Sequence, residues 1–167
     1  LNAYYLQSED YDSLRNSVDN YNSFDQLELA QLCEKHELIE FRRVAAHLYV
    51  LNKKYEKSIN ISKEDELWQD AMETCAISQD GTLAQELLTF FVNEKNYSAF
   101  SATLYTCFKF IKPDIVLELA WKHQLMDYAM PFMIQTMRNF DDNLKEINAK
   151  LKAAEDAKAD AEAKLKA

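Results

Sequence analysis

The stretch DYAMPFMIQTMRNFDDNLKEINAKLKAAEDAKADAEAKLKA, residues 127–167, decides how the chain is to be understood. Apolar side chains recur in it at Met130, Met133, Met137, Phe140, Leu144, Ile147, Leu151, Ala154, Ala161 and Leu165. The steps alternate between three and four residues, with one skip at Lys158. On a helix, that rhythm keeps a single seam facing a partner helix. A helix of this length cannot bury its whole seam against the residues before it. It calls for a partner outside its own fold, or for other copies of itself. Asp127 reads as the cap, which places Pro131 in the first turn, where its missing N–H costs little.

The seam is uneven. Met130 to Ile147 carries bulky side chains, each able to contribute about 1.5–3 kcal/mol when buried. Beyond Leu151 the seam offers mainly Ala, and a charge at Lys158. Asp141–Lys145, Glu146–Lys150, Asp160–Lys164 and Glu162–Lys166 run acid to base at four-residue spacing, each adding about 0.2–0.5 kcal/mol to the helix itself. The expectation is that the first half associates, that the last turns are solvated and frayed, and that copies stop holding together at Lys158.

Working outward, the chain has 167 residues, enough for about one domain with a real core. It contains one Gly (Gly81) and two Pro (Pro113, Pro131). Sheets, barrels and phosphate loops need more turn-forming Gly than that, so the fold is all-α. Residues 141–167 hold 7 acidic and 6 basic side chains, so the net charge of −9 falls almost wholly on the first 140 residues. An acidic body disfavours nucleic acid and anionic membrane as direct partners. Cys33, Cys75 and Cys107 are scattered, which suits a reducing compartment and not a disulfide scaffold. No apolar run approaches membrane-spanning length. The missing initiator Met and signal pattern suggest a fragment of a longer polypeptide.

The helices follow one another with short polar breaks. Leu1 to Leu6 ends one helix, and Ser8-Glu9-Asp10 caps the next, with Tyr11, Leu14, Val18 and Tyr21 on its apolar face. Asn20 to Ser23 is a break. Asp25 opens a segment with Leu27, Leu29, Leu32 and Cys33, interrupted at Lys35-His36-Glu37. Leu38 to Leu51 is a strong helix whose Arg42 and Arg43 point away from its apolar face. Tyr55 to Ile61 follows, and Ser62 to Asp65 starts the helix bearing Trp68, Ala71, Met72 and Cys75. Gln79-Asp80-Gly81 marks a stop and restart. Thr82 to Val92, Tyr97 to Ile111 and Asp114 to His123 complete the series, with Pro113 at a first helical position.

Consecutive hairpins of this size stack into an α-solenoid, in preference to a compact helical bundle. Small residues stand where stacked helices would cross: Ala30, Ala46, Ala71, Ala84, Ala102, Ala120 and Ala129. Trp68 and Trp121 belong to the core on their spacing. Cys33 and His36 could seed a metal site, but no second pair has suitable spacing, so no metal or other cofactor is expected. His36 and His123 are expected to bond helix ends, and Cys107 to be a buried, inert thiol. No acidic pair has the apolar setting that catalysis requires.

Four strings carry a resemblance: Glu34-Lys35-His36-Glu37-Leu38-Ile39-Glu40-Phe41-Arg42-Arg43-Val44-Ala45-Ala46, then Leu104-Tyr105-Thr106-Cys107-Phe108, then Pro113-Asp114-Ile115-Val116-Leu117-Glu118-Leu119-Ala120-Trp121, then Asp127-Tyr128-Ala129-Met130-Pro131-Phe132-Met133-Ile134-Gln135. In this order they resemble the clathrin heavy chain family, over roughly residues 8 to 140. The resemblance implies the C-terminal end of that chain, with the last helical repeat of the proximal leg at 1–126 and a trimerisation helix with a charged extension at 127–167. It implies a homotrimeric hub of the triskelion, contacts with clathrin light chain and with other triskelia in the lattice, and a membrane reached only indirectly through adaptors. The implied location is the cytoplasmic face of coated pits and vesicles. Two features depart from the family: Leu144 to Ala167 lacks the chaperone motif of animal tails, and the family's Cys-rich helix has only Cys107 here.

The reading is thus a non-enzymatic coat fragment, with Met130, Met133, Met137, Phe140, Leu144, Ile147 and Leu151 at the trimer interface and Cys107 and Phe108 in the supporting helix. The alternative is a monomeric helical-repeat adaptor whose groove binds a partner peptide or helix. An enzyme with a site between helices is the more remote option.

Overall fold

The computed structural model describes residues 2–21 and 23–166, with side chains through Lys158. Among the described residues there are ten helices and no strand: α1 (Asn2–Gln7), α2 (Tyr11–Asn20), α3 (Gln26–Glu34), α4 (Ile39–Leu51), α5 (Tyr55–Glu64), α6 (Trp68–Ser78), α7 (Gly81–Asn93), α8 (Tyr97–Thr106), α9 (Pro113–Lys122) and α10 (Met126–Lys166). They fall into two compact units, Leu1–Lys112 and Pro113–Ala167.

In the first unit, α1 packs on α2, α3 on α4, α4 on α5, α5 on α6, α6 on α7 and α7 on α8. Contacts also skip one element, between α1 and α3, α2 and α4, and α6 and α8. Neighbour plus next-but-one packing is the signature of stacked hairpins, so the fold is an α-solenoid. One part of the core gathers Leu14, Val18, Leu29, Cys33, Phe41, Val44, Leu48 and Tyr49. Six of the seven expected small crossing residues are buried, Ala102 alone being half-exposed. Asp10, Asp25, Asp80 and Asn96 cap their helices by accepting backbone N–H bonds, Asp25 from both Leu27 (2.9 Å) and Glu28 (3.1 Å).

The turns explain how a chain with one glycine makes so many reversals. Glu9, Lys53, Glu66, Gln79, Lys95 and Gln124 all take the left-handed conformation, with φ between 54° and 59°. After five of them, the next backbone N–H donates five residues back: Asp10 to the Tyr5 carbonyl, Lys54 to Tyr49, Leu67 to Ser62, Asn96 to Phe91 and Leu125 to Ala120, at 2.7–3.0 Å. This is the Schellman turn, usually built with Gly. Here exposed polar side chains occupy the position. Each accepts a left-handed cost of about 1–2 kcal/mol.

The glycine that is present does something else. Gly81 opens α7 with an ordinary φ, but a Cβ there would lie 2.8 Å from the Phe110 carbonyl oxygen. The turn after α8 is thereby packed onto the N-terminus of α7, whose positive end suits a carbonyl.

Several sequence expectations need correction. Ser62 to Asp65 does not start a helix. Ser62 is buried near the end of α5, where its hydroxyl donates to the Ser58 carbonyl at 3.0 Å, and α6 begins at Trp68 after left-handed Glu66. The helix expected over Tyr97 to Ile111 ends at Thr106, so Cys107 and Phe108 lie beyond it. Pro131 sits in the second turn of α10, because the helix opens at Met126, after left-handed Gln124, and not behind an Asp127 cap. Its missing N–H withdraws a bond from the Asp127 carbonyl. Trp121 is 77% exposed, not core, and Tyr21, Leu32 and Leu51 also face outward. Arg42 and Arg43 do leave the apolar face, and they tie helices together. The Arg42 guanidinium donates to both Asp65 carboxylate oxygens (2.7–3.0 Å) and to the His36 and Glu37 carbonyls, while Arg43 donates to Asp70 (2.7 and 3.1 Å). His36 bonds a helix end as expected, its Nδ1 accepting from the Leu38 N–H at 3.1 Å.

Two glycine substitutions should act with opposite sign. Lys95→Gly should raise stability by about 0.5–1 kcal/mol, since the relief of left-handed strain exceeds the added unfolded-state entropy. Gly81→Ala should lower it by about 1–2 kcal/mol despite alanine's better helix propensity, because the Phe110 backbone must shift. Urea midpoints at constant m-value measure both.

Candidate assembly surface

The second unit consists of α9 and α10, packed on each other. Pro113 opens α9, where a missing N–H is harmless. The Schellman turn at Gln124, closed by Leu125 N–H to the Ala120 carbonyl at 2.7 Å, sets the phase in which α10 starts. In that phase Leu125, Ala129, Phe132 and Thr136 are buried. Their spacing of four, three and four residues makes one helical stripe. Thr136 satisfies its buried hydroxyl by donating to the Phe132 carbonyl at 2.9 Å.

The seam is a different stripe, roughly a quarter turn around the helix at about 100° per residue. Met137 is 66% exposed and Leu144 59%, and Met130, Phe140, Ile147 and Leu151 are exposed likewise. Met133, on the border between the stripes, is half-buried. From Met130 to Leu151 the seam carries no charge. Ion pairs Asp141–Lys145 and Glu146–Lys150 form beside it, both exposed and each worth only tenths of a kcal/mol. The seam positions Ala161 and Leu165 and the pairs Asp160–Lys164 and Glu162–Lys166 lie outside the described side chains, as does the expected fraying.

The structure therefore brings seven of the nine sequence-selected residues onto one helix face. Cys107 and Phe108 are in the first unit. Cys107 is the fully buried C-cap residue of α8, and Phe108 is half-buried in the turn that follows. The Cys107 thiol interacts with that of Cys75, which is also fully buried. That interaction, and then burial, push the Cys75 thiol well up. The same contact pulls the Cys107 thiol below its ordinary value, against its burial. Burial alone pushes Cys33 up to about 12.

Sequence reasoning missed the inward stripe as a stripe of its own. Its periodicity was visible, but Thr136 disguised it as a polar position. Also missed was the exposed pair Leu117 and Trp121, one turn apart on α9.

A cleft of about 370 Å³ in the first unit is lined by Tyr11, Arg15, Arg43, His47, Asp70 and Thr74, among others. Its cations are matched by acids. Arg15 lies 3.2 Å from Asp19, Arg43 2.7 Å from Asp70, and His47 Nε2 3.6 Å from Asp19. Burial, and then Arg15, hold the His47 pKa below its ordinary value against the pull of Asp19. Among the described residues no three His, Cys, Asp or Glu side chains gather as a metal site. No described helix is long and apolar enough to cross a membrane.

Residues 1–99 match a family model described as a region in clathrin and VPS. The probable clathrin heavy chain 1 of Caenorhabditis elegans is 48% identical over 147 residues, 88% of this chain and 9% of that protein. The clathrin heavy chain of Dictyostelium discoideum is 43% identical over 162 residues, 95% of this chain and 10% of its own length. Human clathrin heavy chain 2 is 46% identical over 149 residues, 89% and 9% respectively. The chain spans about a tenth of the length of these relatives. Its stacked hairpins and its sequence agree, and the chain belongs to the clathrin heavy chain family.

Proposed function

We propose that this chain is a structural, non-enzymatic element of a clathrin coat, in which residues 1–126 are the end of a proximal leg and 127–167 the helix through which three copies join as a hub. The observation that carries the proposal is the uncharged, exposed seam from Met130 to Leu151, which stands apart from the stripe that α10 buries in its own chain. Water-exposed apolar rows of this length mark association surfaces.

The order of residues along the seam supports more than two strands. Three-four spacing puts Leu144 and Leu151 at the first core position of a heptad and Ile147 at the second. Leu at the first with Ile at the second favours trimers or tetramers over dimers. The same reading assigns Cys107 and Phe108, in the first unit, to the hub. The remaining partners follow from the family: clathrin light chain, other triskelia in the lattice, and a membrane met only through adaptors, at the cytoplasmic face of coated pits and vesicles.

Sedimentation of the chain should give three times the 19.5 kDa monomer mass. Met137→Glu with Leu144→Glu should reduce that to the monomer with unchanged helical circular dichroism, since both side chains face water in one chain. A wild-type monomer at all concentrations, or a variant that stays trimeric, would sink the proposal.

A further inference from the structure

We infer that Lys150 and Glu155 set the orientation and register of the copies, holding the helices parallel with Lys150 of each copy against Glu155 of its neighbour. This rests on the proposed self-association of α10 and specifies its geometry. In the heptad frame, the residues flanking the core are Asn143 and Lys150 on one side and Asp141, Asn148 and Glu155 on the other. Asn143, Lys150, Asp141, Asn148 and Glu155 are all exposed in the single chain.

Two arrangements can be compared on charge alone. In parallel copies in register, a flanking residue meets the one five positions later on its neighbour. That pairs Asn143 with Asn148, two amides that can bond each other, and Lys150 with Glu155, a cation with an anion. In antiparallel copies each flank meets the same flank of its partner, so Lys150 meets Lys150 or Asn143, and Asp141 and Glu155 meet each other or Asn148: no register pairs a cation with an anion. The preceding parallel pair would need Thr136, which is buried in its own chain. Flanking contacts between copies therefore begin at Asn143. Lys150 already pairs with Glu146 on its own helix. That pairing is exposed and weak, so the ammonium can serve both carboxylates.

The test uses the whole chain at low salt, with trimer dissociation measured by analytical ultracentrifugation. Lys150→Glu and Glu155→Lys should each weaken the trimer at least about tenfold. The double charge swap should restore it to within about threefold of wild type. That rescue is diagnostic, because within one helix the swap still leaves the new acid facing Glu146 and the new base beside Lys152 and Lys158. In a second measurement, Leu151→Cys should form an interchain disulfide when copper and oxygen accept the two electrons and two protons, since in-register parallel helices bring the introduced thiols together. If the trimer forms and is broken by Met137→Glu, yet the double swap is as weak as the singles combined or the introduced thiols do not cross-link, the register assignment falls alone. If the wild-type chain never associates, both proposals fall.

Discussion

The hydrogen bond from a backbone N–H to the carbonyl five residues earlier, closed over a left-handed residue, is the constraint on which this structure depends. It recurs after α1, α4, α5, α7 and α9. Each instance satisfies carbonyls that a helix end would otherwise leave bare, and each sends the chain straight into the next helix or its cap. The connections stay too short to hold structure of their own, so every helix must find its burial against near neighbours in sequence. That locality gives the i to i+1 and i to i+2 packing seen across α1–α8. The cost is borne by side chains such as Glu9, Lys53 and Lys95, which remain in solvent and gain no burial in exchange.

The last of these turns has the largest consequence. By fixing where α10 begins, Gln124 fixes which of its two apolar stripes is buried. Leu125, Ala129, Phe132 and Thr136 go inward, so the seam faces out. A start shifted by one residue would rotate the helix by about 100° and bury part of the seam instead. Pro131 is tolerated in the second turn because its missing N–H withdraws only one bond, near an end where the ladder is already incomplete.

Much of this was legible in the sequence, and the gaps have physical causes. The helices, the caps at Asp10 and Asp25, and the buried alanines follow from periodicity and hydrogen-bonding chemistry. The α5–α6 boundary was misplaced because the true stop, Glu66, carries no signal: an unbranched residue can be left-handed when a turn bond such as Leu67 N–H to the Ser62 carbonyl closes over it. Gly81 looked like turn chemistry, but its reason is a close backbone approach from Phe110, far away in sequence. Trp121 shows the reverse failure, since helical spacing cannot tell which of two apolar faces lies inward. The apolar row from Met130 to Leu151 was legible as a row. That it is separate from the buried stripe was not.

The two stripes also differ in period, and the difference bears on what α10 can pack against. The inward stripe ends at Thr136, three turns into the helix, and the seam continues for four turns more. A strict three-four repeat averages 3.5 residues per turn against 3.6 for a straight helix, so the seam drifts by about 20° per heptad. The drift carries it toward the side on which the inward stripe lay: Ile147 lies nearer that line than Met130 does. Beyond the point where the fold releases the helix, the seam moves part of the way toward that sector. A straight partner would lose it within a few turns. Only helices that wind gently around one another keep such a row covered, and identical helices with the same drift satisfy that condition together.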